Sequence, residues 1–239
     1  LDGLVPWEAI EDRARDTLKS GGWASATDFI GGEAERFLDG YRRDLLQTQP
    51  VALEVWVEKD ALSRVCHRAA FPLCVPVVVA RGFSSVSYVR ECHDRVRENA
   101  AEGRRTVILY YGDLDPSGCE MLPSMLATLQ GEMGLGGLVE GVRCALTPEQ
   151  VETYGLPRNP DALKATDSRA RKYCERFGDL AVELDALPPA DLEGLVRSAI
   201  ESRLDMSLFE DERRREAADV ERIAAVRDDV RRFIGGASE

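Results

Sequence analysis

The sequence lacks the features of several protein classes. It has no run of about 20 apolar residues, so no membrane-spanning helix is predicted. The first residues do not have the charged-then-apolar pattern of a secretion leader, so we expect a cytoplasmic protein with no membrane partner. Internal repeats and low-complexity tracts are also missing. The 239 residues are enough for one large or two small domains.

Cysteine and histidine patterns that bind zinc are missing as well. The six cysteines are scattered without a C-x-x-C pair. The two histidines, His67 and His93, do not have zinc-finger spacing and are predicted to lie on helix surfaces. We therefore expect no zinc site, and free, buried thiols in a reducing compartment.

Positive charge is scarce. The chain has 43 acidic and 31 basic residues, which gives a net charge of −12. Because Lys and Arg supply the sequence-independent affinity for DNA, an acidic DNA-binding chain must concentrate its basic residues or borrow them from a partner. The densest basic segment runs from Lys164 to Lys172. We call it the basic segment, and its best candidate DNA contacts are Lys164, Arg169, Arg171 and Lys172. The alternative is that this segment is a solvated helix face.

The most informative motif is a pair of acids after an apolar run. The run from Thr106 to Tyr111 is followed by Gly112 and then by Asp113-Leu114-Asp115-Pro116-Ser117-Gly118. At the end of a parallel strand, such a pair would project into the crevice where α/β proteins bind ligands. Crowded carboxylates repel each other unless a cation joins them, and oxygen ligands suit Mg²⁺, with Mn²⁺ as a second possibility. Turn chemistry alone would also explain the motif.

A second apolar run, Leu53 to Val57, also ends in an acid, Glu58, which is followed by Lys59 and a helix-like segment. Between the two acid sites, Val75 to Ala80 is interpreted as a third buried strand, and a helix should follow it to about Ala101. This order predicts a βαβαβ unit with a parallel sheet. Because parallel strands end at the same edge, Glu58 could approach Asp113 and Asp115.

The order Glu-Lys, Arg-Gly-Phe and Asp-x-Asp-Pro-Ser-Gly resembles the Toprim superfamily. It is most similar to the group of the topoisomerase VI A subunit and the meiotic double-strand-break proteins, in particular to phage or prophage-type members. The resemblance covers Pro50 to Thr147, and its matching positions are Glu58, Gly82-Phe83, Arg90 and Asp113 to Gly118. It implies an α/β fold in which a Toprim-type parallel sheet is flanked by helices, with helical additions at both ends.

The resemblance also implies Mg²⁺-dependent cleavage of DNA phosphodiester bonds. Asp113 and Asp115 would hold the metal, Glu58 would be a further ligand or the general acid/base, and Lys59 and Arg90 would be further catalytic residues. Lys59 could contact a phosphate or pair with a neighbouring acid. Gly82 and Gly118 would permit tight turns near the phosphate. A non-catalytic nucleic-acid or partner-binding module is the alternative function.

Two versions of the chemistry stay open, hydrolysis by metal-bound water and transesterification by a tyrosine. In the topoisomerase-like proteins the tyrosine lies on an upstream winged-helix domain, whereas here only Leu1 to Gln49 precede the resemblance. Because the chain begins with Leu, this segment could be the end of a missing domain. Its tyrosine, Tyr41, is interpreted as a packing residue of a helix from Gly32 to Gln47. Tyr110 and Tyr111 should face opposite sides of their strand.

The predicted domains are therefore residues 1–49, 50–147 and 148–239, the last mostly helical. Thr147-Pro148-Glu149-Gln150 has the residues of a helix start. Glu183 and Asp185 form another acid pair, which could bind metal, contact the basic segment or belong to a helix-capping region. An apolar stripe from Phe209 to Ile234 predicts one amphipathic helix. It could pack on the body or pair with a second copy, so a homodimer or a partner subunit is open.

Overall fold

The structure is a computed structural model of the chain, and it describes residues 22–80, 86–163 and 169–236. The chain divides into two compact units. One comprises residues 43–216, and the other comprises residues 1–42 together with 217–239. Three residues of the sequence-based predictions, Gly82, Phe83 and Lys164, lie outside the described residues.

The larger unit is built on a four-stranded sheet in which all paired strands are parallel. The strands are β1 (Val51–Val57), β2 (Val77–Val79), β3 (Arg105–Tyr111) and β4 (Val139–Ala145). Their order across the sheet is β2-β1-β3-β4. The prediction of an α/β fold with a parallel sheet is confirmed.

Helices follow each strand and continue to the end of the described chain. They are α1 (Ala26–Arg36), α2 (Ser63–Ala70), α3 (Val86–Ala101), α4 (Pro116–Ala127), α5 (Pro148–Thr153), α6 (Ala170–Phe177), α7 (Pro189–Glu201) and α8 (Met206–Gly236). The helix start predicted at Thr147 is confirmed, because the Thr147 and Gln150 side chains form a reciprocal capping box. The single long helix predicted near the C-terminus is confirmed as α8.

Two buried apolar clusters cover the opposite faces of the sheet. Tyr111 lies in one and Tyr110 in the other, and both side chains are fully buried, as strand alternation predicts. The cluster with Tyr111 also contains Val55 of β1, Val196 of α7 and Phe209 of α8. Apolar residues between positions 151 and 209 thus share one core with the sheet.

One local prediction is wrong, and another is confirmed only in part. The helix expected from Gly32 to Gln47 is replaced by α1, which starts earlier, after Ser25. The Ser25 hydroxyl accepts from the Asp28 N–H and caps this helix. Residues 37–50 form turns and irregular chain. The strand expected from Val75 to Ala80 is only three residues long and half-buried. Its lower burial follows from its place at the edge of the sheet.

All six cysteines are free, as expected, but they are not all buried. Cys74 and Cys174 are exposed, whereas Cys66 and Cys92 are fully buried. Burial raises the pKa of the Cys66 and Cys92 thiols to about 12. No helix within the described ranges is both long and apolar enough to cross a bilayer.

Candidate functional site

Glu58 and Asp113 lie side by side because β1 and β3 pair in register. Val57 and Tyr111 are partners in the ladder, and the Glu58 N–H donates to the Tyr111 carbonyl oxygen at 2.9 Å. The residues that follow both strands therefore emerge at the same edge of the sheet. There the Asp113 N–H donates to Oε2 of Glu58 at 3.1 Å. The structure thus brings together two of the acids on which the predicted site depends.

Tyr110 makes a second hydrogen bond to Glu58. Its hydroxyl donates to Oε2 at 3.1 Å, and its ring is fully buried. The sequence analysis assigned Tyr110 only to one side of its strand, because no local pattern distinguishes it from a packing tyrosine. Oε2 of Glu58 therefore accepts from two donors that are fixed by β3 and by the turn after it.

Two glycines keep the space around Glu58 open. A Cβ atom at Gly112 would lie 2.6 Å from Oε2 of Glu58 and 2.6 Å from the Tyr110 ring. A Cβ atom at Gly118 would collide with the carbonyl oxygen of Asp113. Gly118 lies in the first turn of α4, so it is needed for this close approach and not for the tight turn that the sequence suggested.

The environment raises the pKa of both carboxyl groups. For Glu58 the largest cause is burial, followed by the charge of Asp113. Burial also raises the pKa of Asp113. The Leu184 N–H and the Lys59 ammonium offset part of this rise. The Leu184 N–H donates to Oδ1 of Asp113 at 2.7 Å. The negative charge of this pair is therefore only partly compensated within the protein.

Lys59 lies among the acids at this edge of the sheet. We call these acids the acid cluster, and they are Glu58, Asp113, Asp115, Glu183 and Asp185. Its Nζ lies 3.3 Å from Oδ1 of Asp113, 2.9 Å from Oε2 of Glu183 and 3.1 Å from Oδ1 of Asp185. Burial lowers the pKa of Lys59, but the hydrogen bonds to Glu183 and Asp185 outweigh it, so the net direction is upward. Of the two roles that the sequence left open, pairing with acids is the one the structure shows.

The segment that carries Glu183 and Asp185 is held against the cluster by the backbone. Leu114 and Val182 exchange two hydrogen bonds, at 2.9 and 3.0 Å, as an isolated antiparallel bridge. Oε1 of Glu183 also accepts from the Asn159 side chain at 2.7 Å. Among the residues that the structure describes, this acid pair is bound to Lys59 and Asn159, and not to the basic segment.

Asp115 has a structural role as the N-cap of α4. Its Oδ1 accepts from the Gly118 N–H at 2.6 Å, and Pro116 occupies the first helical position. Its charge raises the pKa of both Glu58 and Asp113, so it lies within electrostatic range of both. Turn chemistry and metal binding, which the sequence offered as alternatives, are compatible, because one carboxylate oxygen forms the cap and Oδ2 makes no hydrogen bond within the described residues.

Arg143 of β4 holds the backbone of this site in place, and the sequence analysis did not single it out. Its guanidinium donates to four carbonyl oxygens. They belong to Leu146 at 2.9 Å, Gly118 at 3.0 Å, Gly112 at 3.0 Å and Asp113. The same group lies 5.6 Å from the centroid of the Tyr110 ring. The available signal was an arginine among the apolar residues Val142, Cys144 and Ala145 of β4.

The donor set fits a hard divalent cation. Glu58, Asp113 and Asp115 offer only carboxylate oxygens, which suit Mg²⁺ or Mn²⁺. A cation would compensate the charge that raises the pKa of Glu58 and Asp113. Within the described ranges, no three Asp, Glu, His or Cys side chains already stand as a complete ligand group.

Another candidate residue is not brought to the acids. Arg90 lies on an exposed part of α3, where its Nε is 2.9 Å from Oδ2 of Asp94, one helical turn away. Among the described residues its bonds go to Asp94, and none goes to Glu58 or Asp113. Tyr41 belongs to the smaller unit, where its hydroxyl donates to Oδ2 of Asp219 at 2.7 Å.

Part of the basic segment lines a cavity of about 520 Å³ between α4 and α6. We call it the basic pocket, and its lining residues are Pro116, Cys119, Glu120, Pro123, Arg169, Lys172, Tyr173, Arg176 and Phe177. Arg169 and Lys172 were predicted as DNA contacts, and Arg176 was missed although it follows Lys172 by one helical turn. Arg171 is not part of the lining, and its side chain is 92% exposed.

Comparisons of the chain with models of protein families, with curated proteins and with solved structures found no match. The function is therefore inferred from the residues at the ends of β1 and β3 and from their surroundings.

Proposed function

We propose that the chain is a Toprim-type enzyme that cleaves DNA phosphodiester bonds with the help of Mg²⁺ or Mn²⁺. The observation that carries this proposal is the contact between Glu58 and Asp113 at the ends of adjacent parallel strands. Asp115 lies within electrostatic range of both. Three carboxylates at the carboxyl edge of a parallel sheet suit a cation that shares its coordination with a phosphate.

Each acid has a role in this proposal. Asp113 and Asp115 would hold the cation, which when bound neutralises charge on the scissile phosphate and polarises the attacking or leaving oxygen. Glu58 would complete the site as a ligand or as the general acid/base. Because its Oε2 already accepts two hydrogen bonds, Oε1 is the atom that would face the cation or hold a proton. Lys59 would balance the charge of the acids.

Direct hydrolysis is the version of this chemistry that we favour for the chain. Tyr110 and Tyr111 are fully buried, and the Tyr110 hydroxyl is bonded to Glu58, so neither ring presents a hydroxyl to DNA. Transesterification would need another tyrosine. A test for a covalent protein–DNA adduct, run on denatured reaction mixtures, distinguishes the two versions. Hydrolysis predicts free DNA ends and no adduct.

The test of the proposed activity is cleavage of plasmid and linear DNA with Mg²⁺, with Mn²⁺ and with EDTA. Asp113→Asn and Asp115→Asn are the variants, since Asn retains the shape of both side chains and is an equally good N-cap at position 115. Loss of a metal ligand should lower the rate by about a hundredfold or more. Asp179→Asn, which changes an acid that is 82% exposed, is the control and should cleave at the parental rate. Metal-independent cleavage, or equal rates for Asp113→Asn and the parent, would show that these acids are not the active site.

A non-catalytic binding module is the second candidate function, and one observation favours it. Lys59 already pairs with Asp113, Glu183 and Asp185, so the acids are partly neutralised without a metal. Calorimetric titration with Mn²⁺ separates the two functions. An enzyme site should bind Mn²⁺ weakly without DNA and lose that binding in the Asp113→Asn variant. A module whose acids are only structural should show no binding that depends on Asp113.

A further inference from the structure

The basic pocket collects positive charge that the rest of the chain lacks. The net charge of the chain is −12, yet the lining includes three cations, Arg169, Lys172 and Arg176, against one acid, Glu120. Their spacing of i, i+3 and i+7 places the three on one side of α6. Lys172 makes no ion pair among the described residues. This local excess of positive charge is what a phosphate-bearing ligand requires.

The floor of the pocket is apolar and includes two aromatic rings. Tyr173 is buried, and its hydroxyl donates to the carbonyl oxygen of Leu180 at 2.6 Å, with the carbonyl oxygen of Leu114 also within reach at 3.0 Å. The Phe177 ring is half-buried, lies 4.9 Å from the Tyr173 ring and lines a second cavity of about 280 Å³ beside the first. The Arg176 guanidinium lies 4.8 Å from the centroid of the Phe177 ring. Aromatic rings and guanidinium planes of this kind stack with nucleobases.

The pocket adjoins the acid cluster. Pro116, which lines it, follows Asp115 directly in the chain. Nη1 of Arg169 also reaches Oγ of Ser117, at 3.4 Å, in the first turn of α4. A DNA strand whose phosphate lies at the acids would therefore have a neighbouring nucleotide within reach of the pocket. The volume of about 520 Å³ falls in the range of about 300–1,000 Å³ that is usual for small-ligand sites.

We propose that the basic pocket binds an unpaired nucleotide of the DNA strand, next to the phosphate that is cleaved. This inference rests on the proposed function, because it takes the acid cluster as the place of the cleaved phosphate. The base of this nucleotide enters the pocket and stacks on Phe177. Lys172, Arg176 and Arg169 bind the phosphates of the nucleotide. A base inside a duplex is covered on both faces by its neighbours and cannot enter. The protein therefore prefers single-stranded DNA, or a duplex with a flap or a gap, to an intact duplex.

The test is binding without cleavage. Fluorescence anisotropy in EDTA compares a labelled single strand with the same sequence as a duplex, over a series of salt concentrations. The full chain should bind the single strand more tightly. The double variant Lys172→Gln/Arg176→Gln changes only exposed side chains, so it should fold, weaken this binding at least about tenfold and flatten the salt slope by about 1.4. Phe177→Leu retains an apolar side chain but removes the stacking face, and should weaken binding roughly fivefold or more.

Arg158→Gln is the matched control, because Arg158 is an exposed arginine outside the pocket and was not predicted to contact DNA. Its affinity should equal that of the parent. Equal affinity for single strand and duplex, or equal losses in Arg158→Gln and in the double variant, would overturn the proposal. A free mononucleotide that displaces the strand at micromolar concentration would also overturn it, since the pocket would then serve a free nucleotide.

The two proposals fail in different ways. If the pocket variants lose single-strand binding in EDTA while neither the parent nor any variant cleaves DNA with metal, only the proposed activity is wrong. If the parent cleaves DNA through Asp113 and the pocket variants bind and cleave like the parent, only the pocket proposal is wrong.

Discussion

Nζ of Lys59 lies 3.3 Å from Oδ1 of Asp113, within the acid cluster where a bound cation would also lie. Glu183 and Asp185 hold the ammonium from the other side. The protein thus carries its own monovalent cation beside the acids. A divalent cation that binds Asp113 would compete with Lys59 for the negative charge of the same carboxylate.

This competition predicts two opposite effects of Lys59→Met. Stability without metal should fall by about 1–3 kcal/mol, because buried and half-buried acids lose a charged hydrogen-bond partner. Mn²⁺ should bind more tightly, because the cluster becomes more negative. Urea unfolding and calorimetry measure the two effects. Arg158→Met, which breaks an exposed ion pair with Asp179, is the control and should cost less than about 1 kcal/mol. Weaker Mn²⁺ binding by Lys59→Met would show that Lys59 supports the metal and does not compete with it.

The raised pKa of Glu58 predicts how stability depends on pH in EDTA. The pKa of Glu58 is higher in the folded state than in the unfolded state, where it has the ordinary value of about 4.3. Such a carboxyl stabilises the fold below the unfolded-state pKa. This contribution is lost as the pH rises through the folded-state pKa. Glu58→Gln removes that loss. The free energy of unfolding of the variant minus that of the parent should therefore increase from pH 4 upward.

Urea unfolding at a series of pH values measures this difference. Glu175→Gln changes an exposed acid on α6 and serves as the control. Saturating Mg²⁺ should reduce the gap between Glu58→Gln and the parent, because the cation compensates the carboxylate charge. A difference that stays constant from pH 4 to pH 8 would contradict the raised pKa.

Gly112→Ala should disturb the site because it fills the space beside Glu58. The added Cβ atom would lie 2.6 Å from Oε2 of Glu58 and 2.6 Å from the Tyr110 ring. We expect a loss of about 1–3 kcal/mol of stability, as for other overpacked sites, together with loss of cleavage. Gly194→Ala is the matched control, since Gly194 lies in α7 with no atom near its would-be Cβ. That change should stabilise the protein by up to about 1 kcal/mol. Equal melting temperatures for the two variants would show that the space beside Glu58 is not needed.

Arg143→Gln should loosen the backbone that positions Asp113. Four carbonyl oxygens would lose their donor, at an expected cost of about 2–4 kcal/mol. Arg143→Lys should recover only part of it, because an ammonium cannot reproduce the fork of guanidinium bonds. Arg105→Gln removes an exposed pair with Glu140 and is the control. Thermal melts and cleavage rates measure the effects. Full recovery by Lys would show that charge alone, and not the shape of the guanidinium, is required at position 143.

Local patterns in the sequence predict much of the fold. The apolar runs that end in Glu58 and Asp113 predict β1 and β3, because strands buried on both faces are nearly continuous in apolar residues. Thr147 predicts the start of α5, because an N-cap depends only on residues within one turn. The helix predicted from Gly32 failed because the apolar stripe was extended across Leu38 and Gly40, where the chain forms turns.

The sequence by itself therefore determined the parallel α/β sheet and the acids at its edge, since both follow from the order of short-range patterns along the chain. Only the tertiary structure decided which side chains meet those acids. Lys59 and Glu183 are 124 residues apart, and Arg143 follows Asp113 by 30. Such contacts depend on how strands and loops are arranged in space, and no periodicity or cap encodes them. The surroundings that control the charge of the site are for this reason a property of the fold.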